Sequence, residues 1–416
     1  MRNADETGWN HDKTSSDVLL GCRFFFTQER KEGIRVKKFR LPPGLGDELD
    51  EQLSIENKVS FWMIKRLHER GFSQIKTPLL EYFELFEDYR MPNQKMYRLG
   101  ARDSRELVIR PDMTLPVARF LSTQNVKLPA KFFYIGDLYR KNRDLSGLCD
   151  QTCQLGVELV GYASKKAELE CLELLSELNR TFLGGRLNLE LGHAKLADEA
   201  LKVLSIDEEK TLAIKEALFE KKLPLYFKLI EPFRSNRSYP FFKAWPRLFG
   251  SVEEVETSLK KLEIPETIEH SLNEVFEIAK ACEVLGGHKA SLDLSAPGPQ
   301  PYYTGIVFKG YLPNASRNVI SGGRYDRMLE SFQEEPEPAV GMGIELSFLS
   351  ELLKDRLPRT KTLPTLVYFE KEQLKQAMDL VKNSDSLQLS LSDTLEEAVA
   401  EAKRLGSGLI DLTKEG

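Results

Sequence analysis

The sequence predicts an α+β fold in which helices flank an antiparallel sheet. Segments at 107–110, 131–136 and 155–161 read as strands separated by turn residues, and we expect them to pair as antiparallel neighbours. Apolar residues recur near one face at 50–70 and 168–179, which predicts amphipathic helices. Elements of these two kinds bury their apolar faces by packing helices against the sheet.

Composition narrows the class of protein. The chain has 416 residues, with 59 basic and 64 acidic side chains and a net charge of −5. This length predicts about two to four domains. The mildly acidic balance argues against nucleic acid, tRNA included, because binding to phosphate backbones requires clustered basic residues. No segment approaches the roughly 18 apolar residues of a membrane helix, so we expect no membrane contact.

Cysteine and histidine usage points to a reducing compartment without a metal site. Five cysteines in a chain of this length do not form a disulfide framework, and the five histidines are scattered singly. Neither residue type supplies the four converging ligands of a structural zinc site. The apolar stretch before Cys22 is too short for a targeting signal. We therefore expect a cytoplasmic protein with no metal and no cofactor.

The first structured segment follows a polar leader. Residues 1–36 carry no motif, and they are either a disordered leader or the product of a mis-assigned start, with translation beginning at Val36. From residue 37 the pattern is that of a folded core. Its first helix, at 50–70, ends where Gly71 can form a C-cap, and a strand is predicted at 72–80.

The rest of the chain divides by composition. The first part of the core, 37–193, ends with a strand at 186–191, and residues 194–285 then become rich in Lys, Glu and Leu at helical spacing. This pattern predicts a mainly helical insertion, whose charges we interpret as a solvated surface. The core resumes at 286–357 and a small C-terminal α/β unit occupies 362–416, after a basic linker at 355–361. Within the resumed core the sequence predicts strands at 291–296 and 303–311, a loop at 321–326, a glycine-rich turn at 341–343 and a helix to Leu353.

Polar residues near three of the predicted strands form a candidate binding site. If the strands pair as expected, one face of the sheet carries Asp112, Thr114, Arg140, Gln154 and Glu158. Gln154 and Glu158 stand four residues apart and point the same way on a strand. Carboxylates beside an arginine can hold a zwitterionic amino acid, with its ammonium on Asp112 and Glu158 and its carboxylate on Arg140. The alternative is an ion-paired sheet surface without a ligand.

Three further features have two interpretations each. Tyr302 and Tyr303 are either core or pocket wall, and we expect one of each because neighbours on a strand face opposite ways. The pair Gly322-Gly323 is typical of a phosphate-cradling turn and equally of any tight turn. Arg324 and Asp326 either serve a ligand or pair with each other.

Five motifs together resemble the histidyl-tRNA synthetase family of class II synthetases. They are Arg110-Pro-Asp-Met-Thr114, the strand ending Leu138-Tyr-Arg140, Gln154-Leu-Gly-Val-Glu158, Pro301-Tyr-Tyr-Thr-Gly-Ile-Val-Phe308 and Ser321-Gly-Gly-Arg-Tyr-Asp326. The resemblance covers about Leu41 to Leu353. It implies a class II synthetase-like antiparallel sheet of six or seven strands and an N-terminal dimerisation motif ending near Pro78. It also implies a histidine pocket contacted by Asp112, Thr114, Arg140, Gln154, Glu158, Tyr302 and Tyr303.

The departures from that family concern the positions that handle ATP. The acid that follows the second-motif arginine is replaced by Asn142, and the loop after it, Gly147-Leu-Cys-Asp-Gln151, lacks arginine. The arginine of the histidine-specific loop falls at Gly298, that loop's aspartate falls at Pro301, and the third-motif arginine falls at Leu346. Loss of one charge-stabilising donor typically costs a factor of about 10² to 10³ in rate. We therefore expect no catalytic residues and no useful adenylation.

A chain that keeps the amino-acid half of the site and loses the ATP half resembles the regulatory subunits of ATP phosphoribosyltransferase, a family of synthetase paralogues. That resemblance implies a non-catalytic subunit required by a short-form catalytic subunit in the first step of histidine biosynthesis. It further implies a role in feedback inhibition by L-histidine and a self-dimer within a hetero-octamer of four regulatory and four catalytic chains. Two rival hypotheses are an amino-acid-activating enzyme of the histidyl-tRNA synthetase type and a tRNA-binding paralogue.

Overall fold

The protein divides into two compact units, with the boundary between Lys354 and Asp355. The structure is a computed structural model that describes residues 41–87, 96–142, 146, 148–286, 289–298, 300–333, 335–356 and 363–414. The predicted leader 1–36 and most of the predicted linker lie outside the described residues. In the described part of the chain, no helix is both long and apolar enough to cross a membrane.

The first unit is built on a nine-stranded sheet. Its strands are β1 (Ser73–Gln74), β5 (Ala130–Tyr139), β6 (Gln151–Val160), β7 (Asn188–His193), β8 (Phe249–Ser251), β9 (Lys289–Asp293), β10 (Ile306–Tyr311), β11 (Ile320–Arg324) and β12 (Ala339–Glu345). A separate small sheet consists of β2 (Leu80–Tyr82), β3 (Tyr97–Arg102) and β4 (Arg105–Ile109). The order in the large sheet is β1-β5-β6-β12-β11-β10-β7-β9-β8. In this order, the six strands β5, β6, β12, β11, β10 and β7 pair antiparallel with their neighbours. Strand β1 joins β5 in parallel, and β9 joins β7 in parallel. The α+β class is confirmed.

Helices cover the sheet and fill the predicted insertion. They are α1 (Asp50–Glu69), α2 (Glu84–Glu87), α3 (Thr114–Thr123), α4 (Lys166–Leu178), α5 (Leu196–Leu201), α6 (Glu208–Phe219), α7 (Leu223–Ile230), α8 (Tyr239–Ala244), α9 (Val252–Leu259), α10 (Glu269–Leu285) and α11 (Leu346–Leu353). The predicted helix at 50–70 is confirmed: Val59, Met63 and Leu67 are buried along one face of α1.

Three local predictions were wrong. The predicted strand at 72–80 is only the two-residue β1, and the chain then runs without regular structure to β2. The predicted loop at 321–326 is mostly β11, and the predicted turn at 341–343 is the middle of β12. Glycine normally weakens a strand, but inside this sheet it makes room for neighbouring side chains.

The predicted strand at 107–110 also lies elsewhere than expected. It corresponds to β4, which pairs with β2 and β3 in the small sheet and not with β5 or β6. Asp112 and Thr114 therefore reach the large sheet from a turn and from the first residue of α3. The predicted three-stranded arrangement of site residues was wrong for this strand.

The second unit is a three-stranded parallel sheet with two helices. Its elements are β13 (Thr365–Tyr368), α12 (Leu374–Lys382), β14 (Leu387–Leu389), α13 (Leu395–Leu405) and β15 (Leu409–Asp411). The strand order is β14-β13-β15. Thr394 and Glu397 form a capping box at the start of α13, and Gly406 ends it with φ +69°. The alternation of strands and helices predicted for this segment is confirmed.

Candidate functional site

The candidate site lies on the face of the large sheet opposite α1. Phe133 of β5 packs edge-on against His68 of α1 with ring centroids 5.2 Å apart, so α1 covers the face that carries Phe133 and its cross-strand partner Val157. The next pair along, Tyr134 and Gly156, faces the other way.

Glycines at three positions on this face of the sheet leave space for larger neighbouring side chains. A Cβ atom on Gly156 would overlap the ring of Tyr134, and one on Gly341 would overlap the carboxylate of Glu158. A Cβ atom on Gly343 would lie 2.6 Å from Nε2 of Gln154. These three glycines therefore allow Tyr134, Gln154 and Glu158 to lie flat across β6 and β12.

Glu158 is one of two buried carboxyl groups in the site. Its residue surface is only 2% exposed, and the Tyr325 hydroxyl donates a hydrogen bond to it. Burial raises the pKa of Glu158 from 4.5 to about 8, against the opposing effect of the hydrogen bond from Tyr325 and of the nearby hydroxyl groups of Thr114 and Tyr134. At neutral pH, the protonated form of Glu158 therefore dominates in the protein without ligand.

Asp112 is the second buried carboxyl group of the site. The backbone N–H of Leu115 donates to its Oδ1 at 3.0 Å, and the Tyr302 hydroxyl donates to its Oδ2 at 3.4 Å. Burial raises the pKa of Asp112, and the nearby Arg140 guanidinium opposes that shift. Arg140 lies with its Nη2 4.0 Å from Oδ2 of Asp112 and donates from Nε to the Pro111 carbonyl at 2.7 Å.

A network of hydroxyl groups connects the two carboxyl groups. The Thr114 hydroxyl lies near Glu158, Tyr134 and Tyr302 and lowers the pKa of each. The Tyr134 hydroxyl in turn donates to Oε1 of Gln154 at 3.2 Å. The site thus offers both hydrogen-bond acceptors for a cation and aromatic surface for an uncharged or flat group.

Three tyrosine rings pack against one another at the site. Tyr302 and Tyr303 have ring centroids 5.1 Å apart, and Tyr325 lies 5.7 Å from the first and 6.2 Å from the second. The expectation that one of the paired tyrosines faces the pocket and the other the core stays a prediction: Tyr302 is buried in a core cluster, and Tyr303 is partly exposed and packs against that cluster. Both precede β10 and lie outside any strand, so the alternation rule does not apply to them.

The structure brings together all seven residues that the sequence singles out, and it adds two that sequence reasoning missed. The additions are Tyr134 and Tyr325. Tyr325 stands in a quoted motif, and Tyr134 stands in the predicted strand at 131–136. The signal that could have revealed Tyr134 is Gly156 between Gln154 and Glu158, because a glycine between two polar residues on one face leaves space for a neighbouring ring.

The residues after the glycine-rich segment have structural partners. Arg324 does pair with Asp326, at 3.1 Å, as one of the two interpretations expects. Its stronger partner is the buried Glu168 of α4, which it contacts at 2.6 and 2.7 Å. This pair fastens the end of β11 to α4.

The positions that handle ATP in the synthetases are occupied by uncharged or internally bonded groups. Leu346 is buried, with 1% of its surface exposed. Asn142 donates to the Cys149 carbonyl at 2.9 Å, and its backbone N–H donates to Asp150 Oδ1 at 2.8 Å. The Tyr97 hydroxyl donates to the other oxygen of Asp150 at 2.5 Å. None of these side chains offers a positive charge to a phosphate group.

The chain contains no obvious metal centre in its described part. No group of three or more His, Cys, Asp or Glu side chains there is arranged to hold a metal ion. Cys153 is poorly suited to redox or metal chemistry, because burial and the nearby Glu56 carboxylate raise the pKa of its thiol far above the ordinary value.

Comparison with known proteins places this geometry in a family. Residues 44–349 match the family model described as histidyl-tRNA synthetase. The ATP phosphoribosyltransferase regulatory subunit of Lactiplantibacillus plantarum is 44% identical over 377 residues, which is 90% of this chain and 98% of that protein. The corresponding protein of Limosilactobacillus fermentum is 39% identical over 381 residues, 92% of this chain and 99% of its own.

Solved structures agree on the fold. A protein from Bacillus halodurans described as an ATP phosphoribosyltransferase regulatory subunit/histidyl-tRNA synthetase matches with a TM-score of 0.76 at 24% identity, over 90% of this chain and 97% of its own. Histidyl-tRNA synthetase from Nostoc sp. PCC 7120 matches with a TM-score of 0.72 at 19% identity, over 88% of this chain and 90% of its own. The chain therefore belongs to the family of ATP phosphoribosyltransferase regulatory subunits, non-catalytic proteins with the fold of histidyl-tRNA synthetase.

Proposed function

We propose that this chain acts together with a short-form catalytic subunit of ATP phosphoribosyltransferase and transmits feedback inhibition by L-histidine. The catalytic subunit joins ATP to phosphoribosyl pyrophosphate and releases pyrophosphate. Its short form would lack a histidine-sensing domain, so this chain supplies a scaffold and the sensing site. The assembly we propose is a hetero-octamer of four regulatory and four catalytic chains, with the regulatory chains paired as dimers.

One observation carries the proposal. Two buried carboxyl groups, Asp112 and Glu158, lie beside a cluster of three tyrosine rings, with Arg140 4.0 Å from Asp112. Leu346 and Asn142 stand where the resemblance places charged groups that would handle ATP. This arrangement suits a small zwitterion that carries a flat ring.

Each polar group has a role in holding histidine under this proposal. Asp112 and Glu158 accept hydrogen bonds from the ligand's ammonium or imidazole N–H groups, and Arg140 pairs with its carboxylate. Tyr302 and Tyr303 form the wall against which the imidazole packs, and Thr114 and Gln154 complete the hydrogen bonds at the floor. Histidine then shifts the complex by the difference between its affinities for the active and the inhibited arrangement.

The decisive experiment assays a short-form catalytic subunit with and without this chain while histidine is titrated. We expect stimulation by the chain and inhibition by histidine. In Glu158→Gln we expect the stimulation to persist and the histidine inhibition to weaken at least tenfold. Absence of any stimulation overturns the assignment of partner, whereas unchanged inhibition in Glu158→Gln places the histidine sensor elsewhere, such as at the subunit interface.

A parallel assay tests the rival enzyme hypothesis. Histidine-dependent exchange between pyrophosphate and ATP reports adenylation directly. We expect no exchange above background with this chain, and measurable exchange would favour the amino-acid-activating alternative.

A further inference from the structure

The helical insertion has an uneven distribution of charge that the proposed function does not use. Residues 221–247 hold seven basic side chains and one acidic side chain. The flanking parts of the insertion, 194–220 and 248–285, hold seven basic and sixteen acidic side chains. A basic segment of 27 residues therefore lies within an otherwise acidic module.

Some of these basic side chains already have partners. Lys222, Arg234 and Arg237 pair with Glu220, Glu231 and Glu263. By contrast, Lys243 and Arg247 are exposed, and neither has a carboxylate within 4.0 Å among the residues that the structure describes.

Lys243 and Arg247 line a cavity of about 540 Å³. The cavity lies between α7, the segment from α8 to Leu248, and the end of α9. Its apolar lining comes from Phe227, Pro240 and Leu248, and Ser258 adds a hydroxyl group. No carboxylate lines it. The volume is in the range of pockets that bind small organic molecules.

The two cations stand on a firmly anchored segment. Lys243 lies in α8 and Arg247 ends the 3-10 turn that follows it, and both line the cavity. Beneath them Phe242 and Trp245 are fully buried, and the Trp245 indole donates to the Leu294 carbonyl at 2.7 Å. The Tyr226 hydroxyl likewise donates to the Phe242 carbonyl at 2.7 Å, which ties α7 to α8. Two positive charges therefore line one cavity without a carboxylate among the described residues that line it, and a bound anion would relieve their repulsion.

We propose that this cavity binds a small organic phosphate. The phosphate group lies between Lys243 and Arg247, where charge-assisted hydrogen bonds are available. The apolar part of the ligand packs against Phe227 and Leu248. A free inorganic anion would use only the first of these features, so an organic ester should bind more tightly than phosphate alone.

The test titrates the full-length chain with 1-naphthyl phosphate at low ionic strength, following binding by calorimetry. Inorganic phosphate and 1-naphthol serve as probes for the two halves of the ligand. We expect saturable binding of the ester, binding by phosphate at least tenfold weaker, and binding by 1-naphthol at least tenfold weaker. The double variant Lys243→Gln/Arg247→Gln should weaken ester binding at least tenfold, and Ser258→Glu should do so by placing a negative charge at the cavity.

A matched control separates the cavity from general electrostatics. Lys202→Gln/Lys280→Gln removes two exposed positive charges from other parts of the insertion, and we expect its affinity for the ester to stay within twofold of the original. Equal weakening in both double variants, or no saturable binding at all, overturns the proposal. If Lys243→Gln/Arg247→Gln instead abolishes association with the catalytic subunit while ester binding is absent, the surface docks an acidic protein segment and the small-ligand proposal is wrong.

Discussion

Replacing Glu158 by glutamine tests the electrostatics of the site without any knowledge of the ligand. The carboxyl group is buried, and its pKa rises from 4.5 to about 8. An acid whose pKa is higher in the folded protein stabilises the fold when it is protonated, so this stabilisation is fully present below pH 4.5 and is lost as the pH rises to 8. One pKa unit corresponds to about 1.4 kcal/mol, so the wild-type chain should lose about 4 kcal/mol of unfolding free energy from this group between pH 5 and pH 8.

The glutamine side chain imitates the protonated acid and does not titrate. At pH 5 the wild type and Glu158→Gln should therefore have similar stability, and at pH 8 the variant should be more stable by up to about 4 kcal/mol. Denaturant unfolding of both proteins at steps of half a pH unit gives the difference between their free energies of unfolding. The contributions of all other titrating groups are the same in both proteins and cancel from this difference. The exposed Glu283→Gln serves as the control for the loss of one surface carboxylate. Parallel curves for wild type and Glu158→Gln would refute the assignment of a raised pKa to Glu158.

Three further predictions concern the same site and its support. Histidine binding should strengthen as the pH rises from 6 to 8, by at most about tenfold per pH unit, because the ligand's ammonium group binds the ionised form of Glu158 more tightly. Binding at these pH values then releases a proton, which calorimetry in buffers of different ionisation enthalpy should detect. The variant Glu158→Gln should abolish that release. Gly341→Ala should weaken histidine binding at least tenfold and cost about 1–3 kcal/mol of stability, because the added Cβ overlaps the Glu158 carboxylate. Gly100→Ala is the control: a Cβ there would meet no atom within 4 Å, so histidine binding should be unchanged. Arg324→Met should lower the free energy of unfolding by about 3–5 kcal/mol, because it leaves the buried Glu168 without its cation. The double variant Arg324→Met/Glu168→Leu should recover much of that loss. Equal stabilities of Arg324→Met and the wild type would contradict this account.

Local periodicity predicted the elements whose burial pattern is regular. The helix α1 and the strands β5 and β6 lie within a few residues of their expected positions, because their apolar residues recur with the period of the element itself. The strands β11 and β12 were missed because Gly322, Gly323, Gly341 and Gly343 imitate a turn in sequence. Gly322, Gly341 and Gly343 leave space in the sheet, and that need exists only where a neighbouring strand brings a Phe, Glu or Gln side chain across them.

The sequence by itself determined the α+β class, the identity of the seven candidate residues and the loss of charged groups at Asn142, Gly298 and Leu346, because these are properties of residue type, order and local period. Only the tertiary structure decided how those residues meet. Asp112 and Thr114 reach the pocket from a turn and a helix start, and Tyr134 and Tyr325 enter the network from β5 and from the end of β11. The raised pKa of Glu158 also comes from this level, since removal of water from a carboxyl group depends on what packs around it and not on its neighbours in the chain.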